Sequence, residues 1–338
     1  MRVLMVCPEL PGAGHPGSMA PCARQIESLR RLGLSIDVVD LRGAPKLKYL
    51  QVAPRVRRGA RQADVVHAHF GYCGWLARLA PALSSANKPL VMSFMGDDLL
   101  GTPSNGEGDL GWFSKLMVGT NKVLARNAAQ VIVKSQEMAD VIAPTPSTII
   151  PNGVDLNTFH PADREVARQK LNLPPEPKVV LFPGNPANPR KGHELALAAI
   201  EVASRQLAEP VELLPLWGVE PDQVADYMNA CDAMLMTSLI EGSPNVVKEA
   251  MACDMAVIGV QVGDVPEMLK GVSGCAVCER DPVDIGRRLT ATLRRPSAVD
   301  GRRTLRLRGL DVESVALRVV SVYEQAIDRK IRIIPDSP

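Results

Sequence analysis

No apolar run in this 338-residue chain approaches the ~18–20 residues that a membrane-spanning helix needs. Nor is there an excess of one charge. The 39 Lys and Arg against 37 Asp and Glu leave a net +2, which removes the bulk electrostatic case for nucleic-acid binding. A cysteine framework is missing as well. The seven cysteines are odd in number and dispersed, which argues for reduced thiols in a cytosolic compartment. Only Cys275 and Cys278 stand close together; a zinc site needs two further ligands at suitable spacing and none is evident, so the pair reads as packing. Residues 1–7 are too short for a signal peptide and lead into a turn, so they read as a first buried strand. No internal repeat stands out. What remains is a composition with 46% hydrophobic and 22% charged residues, enough for two domains with their own cores.

The chain is organised around Thr237–Ala252, where Glu241 and Glu249 stand eight positions apart. A helix start can be read between them. Ser243 suits an N-cap, and Pro244 suits the first helical position, where a missing N–H costs nothing. Val246, Val247, Ala250 and Met251 give that helix an apolar face. Residues 233–237 read as a strand, so Glu241 falls in the loop after it and Glu249 on the helix. The amides of a first helical turn attract phosphate. One carboxylate for a sugar, one for ribose hydroxyls and amides for phosphate would make a nucleotide-sugar site. A capped surface helix with solvated acids is the plainer alternative.

The run Glu241-Gly242-Ser243-Pro244-Asn245-Val246-Val247-Lys248-Glu249-Ala250-Met251-Ala252, followed by Gly263-Asp264-Val265-Pro266-Glu267, resembles the C-terminal signature of family 4 glycosyltransferases. These are retaining enzymes of the GT-B fold, two Rossmann-like doubly wound parallel-sheet domains facing across a cleft. The resemblance continues in His67-Ala68-His69, in Met95-Gly96-Asp97-Asp98, in Pro151–Phe159 and in the loop Gly184–Gly192. It also has departures. Met95 stands where many members have histidine and Asp97 where they have serine, so the histidine's sugar contact does not carry over. Lys191 matches the family lysine, while Asn185 replaces the family arginine, for which Arg190 is a substitute if its side chain turns inward.

Taken in order, strand and helix alternate about six times up to Ile150, which predicts a parallel sheet covered on both faces. The first loop spells G-x-G-x-x-G over Gly12–Gly17, and Asp37 and Asp40 follow where a dinucleotide fold puts its ribose-binding acid. Pro8-Glu9-Leu10-Pro11 intervene before Gly12, however, and Pro16 stiffens the place where a helix should open. A longer cleft loop fits better. Residues 46–61 carry Lys46, Lys48, Arg55, Arg57, Arg58 and Arg61 with few acids. They read as a solvated helix face or as a contact with an anionic membrane. Loop 101–111 reads as a cleft loop. The expected organisation is an N-terminal domain over 1–160, a proline-bearing linker over 161–177 and a C-terminal domain over 178–310. A last helix over 311–330 would cross back to the first domain, as in GT-B enzymes.

The resemblance implies transfer of a sugar from a nucleoside diphosphate sugar, UDP by family frequency, to an acceptor hydroxyl with retention and without a divalent metal. Glu241, Lys191 and Arg190 would be catalytic. Glu249, Gly242, Ser243, Asn245, Val246, Gly184 and Asn185 would hold the donor. Gly17, Ser18, Asp97, Asp98 and His69 would face the acceptor or cleft. A carbohydrate or lipid-linked acceptor, in polysaccharide or glycolipid synthesis, is the implied setting; the expected location is cytoplasmic, and peripheral at the inner face of the membrane if residues 46–61 make the membrane contact. The competing readings are a sugar-nucleotide epimerase or phosphorylase of the same fold, a non-catalytic GT-B scaffold, and a nicotinamide oxidoreductase resting on Gly12–Gly17.

Overall fold

The structure is a computed structural model that describes the chain apart from residues 13–16, 43–47, 80–87, 103–109 and 334–338 and the side chains of 48 and 329–333. Parts of the G-x-G-x-x-G loop, of the basic segment and of loop 101–111 therefore lie outside the described residues. The chain divides into two compact units. The first holds Met1–Thr102, Gly111–Gly153 and the chain from Val312; the second holds Val154–Asp311.

In the first unit six parallel strands lie in the order β2-β1-β3-β4-β5-β6. They are β1 (Arg2–Cys7), β2 (Ser35–Asp40), β3 (Val65–His69), β4 (Leu90–Ser93), β5 (Gln130–Val133) and β6 (Thr148–Ile149). Val3 to Cys7 are all fully buried, because helices cover both faces of the sheet and no residue of a central strand can turn to water. The helices are α1 (Ala20–Arg31), α2 (Lys48–Gln62), α3 (Gly71–Leu79), α4 (Asp97–Leu100), α5 (Trp112–Arg126) and α6 (Gln136–Ile142).

The second unit repeats the plan with five parallel strands in the order β11-β10-β9-β7-β8. Along the chain run α7 (Arg164–Lys170), β7 (Lys178–Phe182), α8 (His193–Leu207), β8 (Val211–Pro215), α9 (Val224–Ala230), β9 (Ala233–Met236) and α10 (Asn245–Ala252). Then follow β10 (Val257–Val260), α11 (Val265–Leu269), β11 (Ala276–Cys278), α12 (Pro282–Arg294) and α13 (Gly301–Leu307). Helices α8 and α12 approach closely at Gly286, where an added Cβ would lie 2.6 Å from Val202. The last helix, α14 (Val312–Ile333), belongs to the first unit. Val315, Val319, Val322 and Tyr323 pack with Ile26 and Leu29 of α1 against Val3, Met5 and Cys7. The sheets are thus the two Rossmann-like domains expected.

Residues 161–177 are not a linker. Asp163 caps α7 through bonds from Glu165 and Val166 amides, and Arg168 is buried at the centre of the segment. Its guanidinium donates to the carbonyls of Ala230 at 2.9 Å and Pro174 at 2.8 Å, and pairs with Asp232 at 3.0 Å. Prolines 174, 175 and 177 read as a spacer, but their carbonyls satisfy a buried cation, which fastens the segment to the second unit. The division falls after Gly153, not at 160.

His67 and His69 lie in the core of the first unit, both fully buried. One ring nitrogen of His67 lies 2.7 Å from the Tyr323 hydroxyl of α14, the other 2.7 Å from that of Ser93. His69 stacks on His67 with ring centres 4.3 Å apart and reaches the Met5 sulfur, so it does not line a cleft as expected. Burial, and next the charge of Lys134, pushes the His67 imidazole down to about 3 from its ordinary 6.5. Burial lowers His69 too, ahead of His67 and Lys134.

Between about 6.5 and about 3 the unfolded chain binds a proton at residue 67 and the folded chain does not. Stability at this residue is therefore full above 6.5 and falls as the pH drops, by about 1.4 kcal/mol per pH unit. Asp98, raised to about 6 by burial, acts in the opposite sense. Denaturant midpoints at pH 6 and pH 4.5 should move apart less in His67→Gln than in the natural chain. An unchanged difference would show that residue 67 does not set the acid sensitivity of this unit.

Candidate active site

At the carboxyl ends of β7 and β9 two loops are stitched together. The Thr237 hydroxyl donates to the carbonyls of Lys191 and Gly192, 3.1 Å to each, and the Leu239 amide donates to the Arg190 carbonyl at 2.8 Å. Gly192 has a φ of +68°, and an added Cβ there would stand 2.3 Å from the Thr237 carbonyl oxygen. Pro189–Lys191 form one 3-10 turn, capped by the Asn188 side chain. These constraints bring the Lys191 ammonium to 2.6 Å from a Glu241 carboxylate oxygen, with the two side chains only 20% and 12% exposed. Gly184 completes the bed, because a Cβ there would meet the Lys191 stem at 3.0 Å.

A third loop, after β10, leans on the second. Gly263, at φ +53°, passes so close that a Cβ would lie 2.5 Å from the Glu241 carbonyl oxygen. The Asp264 amide then donates to the Gly242 carbonyl at 3.2 Å. Arg280, just beyond β11, donates to the carbonyls of Thr237 at 2.7 Å and Ser238 at 3.1 Å. Ligands of open parallel sheets bind at such carboxyl ends, where the backbone has to turn and its polar groups are presented.

Helix α10 begins one residue later than the sequence suggests, with Pro244 at the N-cap and no side chain bonding to the first turn. Ser243 is not the cap. Its hydroxyl accepts from the ammonium of Lys248, which is 1% exposed, at 2.9 Å. Beneath it Asp264 is raised to about 6 by burial, with the Lys248 charge and the Ser243 hydroxyl pulling the other way. Lys248 and Asp264, which stand in the signature without an assigned role, and Arg280, which stands outside it, form part of this framework. Arg280 had a signal, a cation directly after a strand at this edge. Lys248 had only its place in the signature, because its helix position does not reveal that the ammonium is buried.

The other expected residues divide. Gly242 and Ser243 are buried in the stitched loop, and Asn245, Val246 and Glu249 are half-buried on α10. Asn185 is taken up by its own turn, its side chain accepting from Ala187 at 2.9 Å. Gly17 and Ser18 lie beyond β1 in the first unit, where Ser18 donates to the Glu9 carbonyl at 2.7 Å. Asp97 is exposed. Asp98 is not a surface acid: its carboxylate accepts from the amides of Met95, Gly96 and Gly71 at 2.9, 3.0 and 3.2 Å, so it staples the loop after β4.

Both acids of the dinucleotide pattern are paired with arginines. Arg42 pairs with Asp40 and donates to the Leu10 carbonyl at 2.9 Å, and Arg2 pairs with Asp37 at 2.9 Å. Helix α1 opens only at Ala20, after a Met19 at φ 47°. All seven cysteines are free thiols, and among the described residues no group of three or more His, Cys, Asp or Glu could hold a metal ion.

A family model described as Glycosyltransferase Family 4 matches residues 2–158, and one described as Glycosyl transferases group 1 matches residues 201–295. D-inositol 3-phosphate glycosyltransferase of Thermobispora bispora is 27% identical, over 80% of this chain and 73% of its own length. The TuaC glycosyltransferase of Bacillus subtilis, named for teichuronic acid biosynthesis, is 26% identical over 79% of this chain and 83% of its own. The chain spans 58% and 63% of two other inositol phosphate glycosyltransferases, from Streptomyces bingchenggensis and Catenulispora acidiphila.

Among solved structures, sucrose-phosphate synthase from Thermosynechococcus elongatus superimposes with a TM-score of 0.75 at 18% identity, covering 96% of this chain and 99% of that one. HepE from Anabaena, in complex with UDP, gives 0.69 at 18% identity over 96% and 100%. The fold and the two matching models define a glycosyltransferase of the GT-B class. This chain is similar to family 4 of those enzymes over residues 2–158 and to group 1 over residues 201–295.

Substituting Gly192 tests the stitching. Gly192→Ala should lower the stability of the second unit by at least ~1–3 kcal/mol, the usual cost of such backbone strain. Gly17→Ala, with nothing within 4 Å of its added Cβ, should be near neutral. Equal denaturant midpoints for the two variants would contradict the close approach of the loops.

Proposed function

We propose that the second unit binds a nucleoside diphosphate sugar, with uridine as the base, and that the chain transfers its glycosyl unit to an acceptor hydroxyl with retention. The observation that carries this reading is the Lys191–Glu241 pair, held at strand ends beside the uncapped start of α10. An anionic diphosphate suits a cation and helix-start amides in one place. The HepE structures with UDP and with UDP-glucose are of a protein with the same fold.

As the bond from the anomeric carbon to the diphosphate breaks, the leaving oxygens gain charge. Lys191 turns from Glu241 to meet them, together with the α10 amides, and this takes the place of a divalent metal. Arg190 adjoins as a second cation. Glu241, freed of its partner, accepts from sugar hydroxyls, and Glu249 accepts from the ribose. The acceptor oxygen then bonds to the same face of the sugar while its proton passes to the departing phosphate. The acceptor is a carbohydrate or a lipid-linked one, in polysaccharide or glycolipid synthesis; the name of the Bacillus subtilis relative supports the polysaccharide setting.

A thermal-shift screen with UDP, GDP, ADP, CDP, NAD and NADP, with and without magnesium, tests the donor. One diphosphate should raise the melting temperature independently of magnesium, by up to about 2.7 kcal/mol of stabilisation at 100 times its Kd. Glu249→Ala should abolish the shift. A response to NAD or NADP alone would refute the reading. With the donor so identified, Lys191→Ala and Glu241→Ala should each lower turnover roughly tenfold or more while the fold is kept. Near-normal turnover in either variant removes that residue from the mechanism.

A further inference from the structure

One face of the first unit is apolar and basic at once. By the right-handed crossover rule α2, α3 and α5 lie on the same face of the sheet, and α3 packs against both of the others. None of the three contains an acid, in a chain whose charges otherwise nearly balance. Arg55, Arg57, Arg58 and Arg61 of α2 are all exposed, as is Arg78 of α3. Among the described residues none of these cations makes a salt bridge.

Helix α5 is the unusual member. Its inner side is buried through Asn121, Leu124 and Ala125. Its outer side should then be polar, but Trp112 is 77% exposed, Phe113 60%, Leu116 52% and Val123 46%. Trp112, Leu116 and Val123 follow one another at helical spacing, with Phe113 and Met117 beside them, so they form a stripe and not scattered residues. Lys115, Lys122 and Arg126 flank that stripe along one side. Exposed Tyr49 and Leu50 of α2 and Tyr72 of α3 extend the apolar surface, with Tyr49 and Tyr72 in edge contact at 6.5 Å.

We infer that the α2–α3–α5 face docks on an anionic lipid bilayer, with Trp112, Phe113, Leu116 and Met117 entering the headgroup–acyl boundary. Charge selects this occupant. A stripe of aromatic and aliphatic side chains flanked by cations, with no acid on any of the three helices, matches a negatively charged interface. Trp and Phe place flat apolar rings at that depth, and long Lys and Arg side chains keep their charges in the headgroups. The exposed arginines of α2, Arg55 to Arg61, are thus one edge of a larger face whose apolar anchor is α5. The inference is independent of the donor chemistry, since vesicle binding needs no nucleotide.

The test is sedimentation of the full chain with vesicles of phosphatidylcholine, with and without phosphatidylglycerol. Binding should require the anionic lipid and weaken as salt is raised. The double substitution Phe113→Ser and Leu116→Ser should lower the partition coefficient roughly tenfold or more. Neutralising Arg55, Arg57 and Arg58 to Gln should do likewise. Both variants alter exposed side chains and should melt and respond to nucleotides as the natural chain does, which separates failure of this inference from failure of the transferase reading. In the natural chain, brominated lipid should quench a part of the tryptophan emission that Trp112→Phe removes. Equal binding to neutral and anionic vesicles, no binding to either, or no quenching of Trp112 overturns the inference. So does self-association, or nucleic-acid binding, that the same substitutions abolish while vesicles remain unbound.

Discussion

The site of the second unit depends on a short seam between two strand-end loops. Each loop alone would be an irregular segment with unsatisfied backbone groups. Thr237 and Leu239 give the loop after β7 its partners, and Arg280 satisfies the carbonyls of Thr237 and Ser238 that the seam leaves over. Gly192 and Gly263 are needed because the backbones come closer than any Cβ would permit. With the seam closed, Lys191 and Glu241 have little freedom left and meet as a half-buried pair. A pair of this kind costs desolvation and is a modest source of stability. For the proposed donor, this means that both backbones are already placed and only the Lys191 side chain has to turn when a ligand arrives.

A second polar cluster lies under the same loop. Lys248 is buried, bonded to Ser243 and facing Asp264, whose carboxyl is raised to about 6 by burial. A buried ammonium without compensation would be costly, so the hydroxyl and the carboxyl fix where the Gly242–Ser243 turn can sit. In the first unit Asp98 plays the comparable part for the loop after β4, collecting three amides. Asp98, which the sequence suggests as an acceptor or cleft residue, instead holds its loop.

The fold was legible because it rests on patterns repeated many times along the chain. Buried parallel strands read as continuous apolar runs, and each is followed by a helix, so the two parallel sheets could be expected without the structure. The Glu241–Glu249 stretch was legible through its strand, loop and helix order and its family likeness. What was not legible is which partner a polar side chain takes once the chain is folded. Ser243 has the chemistry of an N-cap, but a lysine five residues on takes its hydroxyl. The prolines of 174–177 look like a spacer, but Arg168 uses their carbonyls. His69 sits at a strand end like a cleft residue, but the period-two pattern turns it inward towards Met5. The exposed stripe on α5 was hidden for a related reason: an amphipathic pattern states that a helix has an apolar side, not that it has two.

The most direct measurement of the central claim is a calorimetric titration of one base's diphosphate and monophosphate into the natural chain and Lys191→Ala. If the seam exists to hold Lys191 for a diphosphate, the substitution should weaken diphosphate binding by roughly tenfold or more, the usual worth of a hydrogen bond to a charged group. The monophosphate should bind both proteins alike. Unaltered diphosphate affinity, or equal losses for the two nucleotides, would contradict the account.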